Sequence, residues 1–189
     1  MFLPSSRRTF LTRTLKGTLL AVLGRHATCS AHYKFSLSGT VFETVGRELS
    51  LDPILLYSIA CVESAVETRK NSRFIKPYPW TIRSADGPYY GRTRKDAENH
   101  LRNLRQKYKS IDVGLMQINL RWHGHKVKRA EDLLDPYTNV LTSAQILNQL
   151  FISQNKNAYL AVGFYHSRDR VKAARYAKHV FNIYLSLKT

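Results

Sequence analysis

Apolar residues recur every three or four positions in several stretches of this chain, the spacing that places side chains on one face of an α-helix. The stretches predict helices over residues 38–49, 51–68, 95–109, 137–154, 158–165 and 169–187. Residues 158–165 are apolar or small at nearly every position, whereas the last stretch is amphipathic, with basic side chains opposite its apolar face. The chain is therefore expected to be mainly α-helical.

Two segments depart from the helical spacing. Residues 71–94 contain several prolines and glycines among alternating aromatic residues, a pattern that predicts a loop and a short β-hairpin. Residues 111–119 are expected to lead into a compact turn that contains a glycine. With 189 residues, 43% of them hydrophobic and 23% charged, the chain has the size and composition of one globular domain. The predicted fold class is mainly α, a single helical domain with one small β-hairpin insertion.

The first 31 residues differ in character from the rest of the chain. They contain five basic residues and no acidic one, and a short apolar stretch at residues 17–24 is followed by small residues up to Ala31. This order is typical of a cleavable signal peptide, and it predicts a periplasmic or exported protein with residues 32–189 as the mature domain. The alternative is that residues 1–31 form a disordered basic N-terminal segment.

The same segment bears on the export route and on membrane attachment. The motif SRRTFLT at residues 6–12 resembles a twin-arginine signal, and the pattern leaves the Sec and twin-arginine routes both open. The apolar stretch of eight residues is too short to cross a bilayer, which needs about 20 residues. No permanent membrane anchor is therefore predicted.

The chain is strongly basic, with a formal net charge of +17 that falls to +12 without residues 1–31. Such an excess attracts polyanions, for which nucleic acid, anionic lipid and the cell-wall matrix are the candidates. The basic residues are dispersed and form neither an RNP motif nor a helix-turn-helix pattern. No specific nucleic-acid partner is therefore predicted.

One carboxylate stands at the end of the apolar run LDPILLYSIACVES. Asp52 or Ser50 can cap this helix, and Pro53 suits its first turn. Spacings of three and four then place Glu63 on the face that carries Leu56. Apolar surroundings penalise the charged form of a carboxylate and should raise its pKa from about 4.3 toward about 6. Glu63 is therefore predicted to donate a proton at neutral pH, as cleavage of a glycosidic bond requires.

A glycosidase usually needs a second group that stabilises the oxocarbenium ion on the other side of the sugar. The spacing alone does not identify that group, and the candidates are Glu67, Asp86 and Asp112. Substrate-assisted chemistry, in which the N-acetyl group of the sugar supports the cation, needs no second carboxylate.

Four motifs follow one another at informative spacings. They are ES at residues 63–64, DVGLMQIN at 112–119, DPYTNVLTSAQIL at 135–147 and AVGFYHS at 161–167. In order and spacing they resemble the motifs of the SLT-type lytic transglycosylases, which belong to the lysozyme-like α+β superfamily. The segment PYPWTIRSADG at residues 77–87 is similar to an insertion in small members that serve pilus, conjugation and type IV secretion machines.

The resemblance implies a peptidoglycan lytic transglycosylase that works without a cofactor. Glu63 would protonate the β-1,4 oxygen between N-acetylmuramic acid and N-acetylglucosamine, and would then take the proton of the C6 hydroxyl that closes a 1,6-anhydro ring. The implied partners are peptidoglycan glycan strands and components of a conjugation, pilus or secretion apparatus. The alternatives are a muramidase that hydrolyses the same bond, with Asp86 or Asp112 holding the water, and a non-catalytic module that binds cell wall or polyanions.

The same resemblance also implies a set of substrate-binding residues. They are Ser64, Gly114, Met116, Gln117, Asn119 and Tyr165. Ser64 would help to orient the N-acetyl or carboxylate group, and Gly114 would let the backbone approach the sugar. Tyr165 matches the tyrosine that faces the glutamate in the family, so it is the expected partner of Glu63.

Each of these assignments has a structural alternative. Met116 can be a core filler and Tyr165 a packing residue, while Gln117 and Asn119 can satisfy backbone groups in the turn. Further aromatic residues are candidates for stacking on sugar faces, namely Tyr78, Trp80, Tyr89, Tyr90 and Trp122. A metal site is not predicted, because residues 123–125 offer only an H-x-H pair without a supporting cysteine or Glu-His pair.

Overall fold

The computed structural model describes residues 35–66 and 76–189, and the predicted signal peptide of residues 1–31 lies outside these ranges. The helices within them are α1 Val41–Leu49, α2 Pro53–Ser64, α3 Arg94–Lys107, α4 Leu120–His123, α5 Pro136–Ser153, α6 Ala158–His166 and α7 Arg170–Lys188. Two short 3₁₀ turns cover Gly124–Lys126 and Ala130–Leu134. Each helix expected from the apolar spacing is present, and the predicted mainly α fold is confirmed.

The β-structure is larger than the single predicted hairpin. The strands are β1 Ala65–Val66, β2 Lys76–Pro77, β3 Thr81–Ser84, β4 Gly87–Tyr90, β5 Asp112–Val113 and β6 Ile118–Asn119. Strands β3 and β4 form the expected hairpin, and β5 and β6 extend it to a four-stranded antiparallel sheet in the order β4-β3-β5-β6. Strands of two residues escape a sequence analysis because so short a segment shows no period of two.

Helix α2 is shorter than the spacing predicted. The expected helix ran to residue 68, but α2 ends at Ser64, and the next two residues form β1 and pair with β2. The Ser64 carbonyl accepts a hydrogen bond from Tyr78 N at 3.1 Å, so a later segment of the chain replaces the next helical turn. Local helix propensity is too weak to outweigh such tertiary contacts. Glu67, one candidate for the second carboxylate, lies outside the described residues.

Side chains cap the first turns of all seven helices of the described ranges. The residues that accept a hydrogen bond from a first-turn N–H are Thr40, Asp52, Thr93, Asn119, Asp135, Asn157 and Asp169. At α2 the cap is Asp52 and not Ser50, because Asp52 Oδ1 accepts a hydrogen bond from Ile54 N at 2.8 Å. A cap of this kind contributes about 1 kcal/mol and sets where the helix begins.

Helix α2 lies at the centre of the hydrophobic core. Leu56, Ile59 and Ala60 are fully buried, and α1 and α7 pack against the helix. Fully burying one leucine or isoleucine side chain contributes roughly 1.5–3 kcal/mol, so this packing holds the end of α2 that carries Glu63 in a defined position. No helix of the described ranges has both the length and the apolar character needed to cross a membrane.

Candidate active site

Glu63 lines a cleft with a volume of about 330 Å³. The residues that line it are Glu63, Arg83, Asp112, Gln117, Ile118, Asn119, Trp122, His123, Ile146, Tyr165 and His166. They come from helices α2, α4, α5 and α6 and from the sheet, so the helical part and the β-structure both shape this cleft. Four of the predicted site residues therefore come together, and three others do not line the cleft.

Glu63 occupies the last turn of α2 and is partly buried. The hydroxyl of Tyr176 donates a hydrogen bond to Glu63 Oε1 at 2.6 Å. The pKa of Glu63 is raised to about 7, chiefly by burial and to a smaller extent by the charge of Asp112, while the hydrogen bond from Tyr176 and the charge of Arg83 oppose the increase. The raised pKa agrees with the prediction from the apolar helix face. Near neutral pH, Glu63 populates both its acidic and its basic form.

Asp112 is the candidate second carboxylate that lies in the same cleft as Glu63. It is paired with Arg83 in the register of β3 and β5, and Asn119 Nδ2 donates a hydrogen bond to Asp112 Oδ1 at 2.8 Å. Burial raises the pKa of Asp112, and Asn119 and Arg83 oppose this increase. Asp86 lies in the exposed turn between β3 and β4 and does not line the cleft.

Gln117 leaves one polar atom of the cleft without a partner. Its φ is +44°, a left-handed conformation that is uncommon for a residue other than glycine. Gln117 Nε2 donates hydrogen bonds to the carbonyls of Thr81 and Gly114 at 3.1 and 2.8 Å. Its Oε1 is buried and has no hydrogen-bond partner within the described part of the chain. Buried acceptors are normally paired, so the unpaired oxygen marks Gln117 as a candidate for contact with a ligand.

Ser64, Gly114 and Met116 do not line the cleft. Ser64 Oγ donates a hydrogen bond to the Leu115 carbonyl at 2.7 Å, and the side chain of Met116 is fully buried in the core. Gly114 has a φ of +82° and lies against the side chain of Asn139. These contacts support the turn between β5 and β6, and a direct contact of the three residues with a sugar stays a prediction.

The turn between β5 and β6 is held by Asn139, which the sequence pattern did not single out. Asn139 is buried on α5, where Nδ2 donates to the carbonyls of Val113 and Leu133 at 2.9 and 2.8 Å, and Oδ1 accepts from Met116 N at 2.8 Å. One amide therefore satisfies three backbone groups. The available signal was the four-residue spacing of Asn139 and Ser143, which places two polar side chains on one face of α5.

The tyrosine that contacts Glu63 is Tyr176. Tyr165 lines the cleft, but its hydroxyl donates a hydrogen bond to the Met116 carbonyl at 2.8 Å and pairs with Ser143 Oγ at 2.8 Å. The hydrogen bond expected between Tyr165 and Glu63 is thus formed by Tyr176 instead. Tyr176 follows Glu63 by 113 positions and lies on α7, so the only signal in the sequence was its place in the amphipathic pattern of the last helix.

Trp122 is the aromatic candidate that lines the cleft, and its side chain is exposed, with 64% of the residue's surface accessible. The other aromatic candidates lie in or beside the β3–β4 hairpin and are Tyr78, Trp80, Tyr89 and Tyr90. Tyr78 packs edge-on against two of them, and Tyr89 stacks on a histidine of α3. These four therefore have structural contacts. Trp122 has one as well, because the Arg121 guanidinium lies over its ring with Cζ 5.1 Å from the ring centroid, but most of the residue's surface remains exposed.

Replacing Tyr176 with phenylalanine is expected to move the basic limb of the pH–rate profile to higher pH. The lost hydroxyl stabilises the charged form of Glu63, so the pKa of Glu63 should rise further. A hydrogen bond to a charged group contributes about 1.5–3 kcal/mol, so the rate at neutral pH should also fall about tenfold or more. The measurement is the rate of peptidoglycan cleavage as a function of pH.

Tyr165→Phe is the matched control. It also removes one tyrosine hydroxyl, but that hydroxyl contacts Met116 and Ser143 and not Glu63. We expect it to lower the free energy of unfolding by about 1–3 kcal/mol and to leave the basic limb in place. A shift of the limb in Tyr165→Phe but not in Tyr176→Phe would contradict the assignment of Tyr176 as the partner of Glu63.

The family model of the transglycosylase SLT domain matches residues 41–179, a range that contains every residue of the cleft. The chain belongs to the transglycosylase SLT domain family. This membership agrees with the four sequence motifs and supports lytic transglycosylase activity on peptidoglycan. Searches of curated proteins and of solved structures give no significant match.

Proposed function

We propose that this SLT domain cleaves the β-1,4 bond between N-acetylmuramic acid and N-acetylglucosamine and leaves a 1,6-anhydro end. The observation that carries the proposal is the state of Glu63, whose pKa is raised to about 7 by burial in a cleft where Tyr176 donates to one of its oxygens. A group with this pKa can act as an acid and then as a base at neutral pH.

Glu63 would carry out both proton transfers. In its neutral form it donates a proton to the glycosidic oxygen while the bond from that oxygen to C1 breaks, and the second sugar leaves with a free hydroxyl. The Glu63 carboxylate then takes the proton of the C6 hydroxyl while O6 bonds to C1, which restores the neutral acid without water. The hydrogen bond from Tyr176 would stabilise the carboxylate between the two transfers.

We assign the positioning of the sugars to the lining of the cleft. Gln117 Oε1, buried and without a partner in the described ranges, would accept a hydrogen bond from an N–H or hydroxyl of the substrate. Asn119 and Tyr165 line the same space, and the exposed ring of Trp122 offers a flat face for a sugar. The effect on the substrate would be indirect for Ser64, Gly114 and Met116, because they support the turn between β5 and β6 that carries Gln117.

The position of Asp112 in the cleft supports hydrolysis of the same bond as a second candidate reaction. It lies in the same cleft as Glu63, and a carboxylate there can hold a water for attack at C1. The product would then be a reducing end in place of the anhydro ring, so the two reactions differ by one water in the mass of the product.

Mass spectrometry of fragments released from purified sacculi tests the proposed reaction. We expect 1,6-anhydromuramic ends, each one water lighter than the reducing end that hydrolysis leaves. Reducing ends would transfer the assignment to a muramidase with Asp112 as its second carboxylate. Sacculi that bind the protein but release no fragment would indicate a binding module.

The biological setting is also a proposal. Residues 1–31 would direct export to the periplasm, where the peptidoglycan substrate lies, and their composition is the support for this role. The likeness of residues 77–87 to an insertion of small apparatus-associated members supports work beside a pilus, conjugation or secretion machine.

Removing residues 1–31 is expected to give a folded and active domain that stays in the cytoplasm of the producing cell. The core and the cleft described above are built from residues within 35–66 and 76–189, so the truncated chain keeps all of these contacts. The full chain should lose the segment and be recovered from the periplasmic fraction. The measurement is intact mass and activity in each fraction, and a cytoplasmic full chain with its original N-terminus would contradict the export role.

A further inference from the structure

The cleft continues beyond Glu63 into a second part with a volume of about 580 Å³. The two parts share Trp122, His123, Ile146, Tyr165 and His166. The second part adds Leu150, Phe164, Ser167 and Arg168, and we call this part of the cleft the basic arm. The proposed reaction takes place in the first part and leaves the basic arm without an assigned ligand.

The two parts of the cleft differ in charge. The part around Glu63 contains two carboxylates and Arg83, whereas the lining of the basic arm contains no carboxylate. Burial lowers the pKa of His123 and of His166, which favours their neutral forms near neutral pH. Arg168 is therefore the permanent cation in the lining of the basic arm.

Arg168 has no carboxylate within ion-pair distance among residues 35–66 and 76–189. A guanidinium that is unpaired and exposed in a cleft is suited to bind a carboxylate through two parallel hydrogen bonds. The sugar rings of the glycan are neutral and offer only hydroxyl and amide groups. In stem-bearing peptidoglycan, the carboxylates belong to the peptide stems that are attached to muramic acid.

The remaining lining of the basic arm also suits a peptide stem. Trp122 lines both parts of the cleft, so a muramic acid that stacks on its ring is placed to extend its stem into the arm. Ile146, Leu150 and Phe164 provide apolar contacts of the kind that the methyl groups of alanine residues in a stem can use.

We propose that the basic arm binds the peptide stem of peptidoglycan through Arg168 and a stem carboxylate. The domain would accordingly act preferentially on glycan strands that still carry their stems. The inference rests on the proposed function and adds to it a specificity-determining residue and the chemical group that this residue recognises.

The test compares two substrates that differ only in the charge of the stem. Soluble peptidoglycan strands are used in their native form and after conversion of the stem carboxylates to amides. We expect Arg168→Gln to lower kcat/KM about five- to tenfold on native strands, as the loss of one partly exposed ion pair predicts, and to equal the wild type on amidated strands. Arg175→Gln is the matched control, because Arg175 is exposed on α7 outside the cleft and its loss changes the net charge equally.

Two kinetic results would overturn the inference. The first is an equal kcat/KM of Arg168→Gln and the wild type on native strands. The second is an equal loss of kcat/KM by Arg168→Gln on native and on amidated strands, which would mean that Arg168 maintains the shape of the cleft and does not bind a stem carboxylate. Binding of native and amidated strands to Glu63→Gln, with and without Arg168→Gln, separates recognition from reaction. If the wild type cleaves neither substrate, the proposed function fails, and the binding measurement still decides whether the arm recognises stems.

Discussion

Replacing Glu63 with glutamine is expected to abolish cleavage of peptidoglycan while the fold stays intact. The change is nearly isosteric, and the glutamine oxygen can still accept the hydrogen bond of Tyr176, but the side chain has no acidic proton to donate. Losing the acid step should lower the rate by at least ~10². The measurement is fragment release from sacculi per folded molecule, with circular dichroism as the test of the fold.

Glu48→Gln is the matched control for this experiment, because Glu48 is exposed, accepts a hydrogen bond from Tyr137 and does not line the cleft. It should retain the rate of the wild type. If Glu63→Gln kept near-full lytic activity, the assignment of Glu63 as the acid would be wrong.

Comparing the wild type with Glu63→Gln also tests the protonation state of Glu63, through the pH dependence of stability. The folded protein holds the pKa of Glu63 at about 7, above its ordinary value of 4.5, so the folded state binds more protons than the unfolded state between these values. The wild type therefore loses stability as pH rises through this window, by about 2–3 kcal/mol, and Glu63→Gln does not. Urea unfolding at pH 5 and at pH 8.5 should show the difference, and parallel curves for both proteins would contradict a raised pKa.

Replacing Gly114 with alanine is expected to lower the free energy of unfolding by at least about 4 kcal/mol or to prevent folding. A Cβ at this position would collide with Asn139 Nδ2 and lie 2.5 Å from the Leu133 carbonyl oxygen, at a φ of +82°. The cost combines a strained backbone, overpacking and the loss of the hydrogen bonds of Asn139. The measurement is chemical denaturation, with recovery of soluble protein recorded for a variant that does not fold.

Gly87→Ala is the matched control, because Gly87 has a φ of +102° but no atom within 4 Å of the point that a Cβ would occupy. It carries the backbone strain alone and should cost about 1–3 kcal/mol. If Gly114 served only the approach of a sugar, Gly114→Ala would cost no more stability than Gly87→Ala and would lose turnover instead.

The helices and the role of Glu63 as an acid were predictable, because the interactions that indicate them involve residues close together in the sequence. The spacing of Leu56 and Glu63 on one helix follows from the helical repeat, and the cap at Asp52 and the first-turn position of Pro53 follow from the orphan N–H groups of α2. The raised pKa of Glu63 was predictable in direction, because the apolar face of α2 indicates that this side of the helix is buried, and burial penalises the charged carboxylate.

The residues that contact or lie near Glu63 were not predictable from local sequence patterns. Tyr165 and Tyr176 are both aromatic residues in helical patterns, and only the packing of α7 against α2 brings the second hydroxyl to Glu63. The choice between Asp86 and Asp112 likewise depends on which strand faces the cleft. Both outcomes are set by contacts between segments far apart in the chain, and a local pattern does not encode such contacts.

The sequence by itself determined that this protein is a mainly helical SLT domain with a carboxylic acid on an apolar helix face, since periodicity, caps and ordered motifs are local properties of the chain. The tertiary structure alone decided that α2 ends at Ser64, that Asn139 holds the turn beside the cleft, and that Arg168 lines its basic arm. The reason is that each of these features depends on contacts between residues far apart in the sequence. Such contacts form, and stabilise the protein, only when the whole core packs.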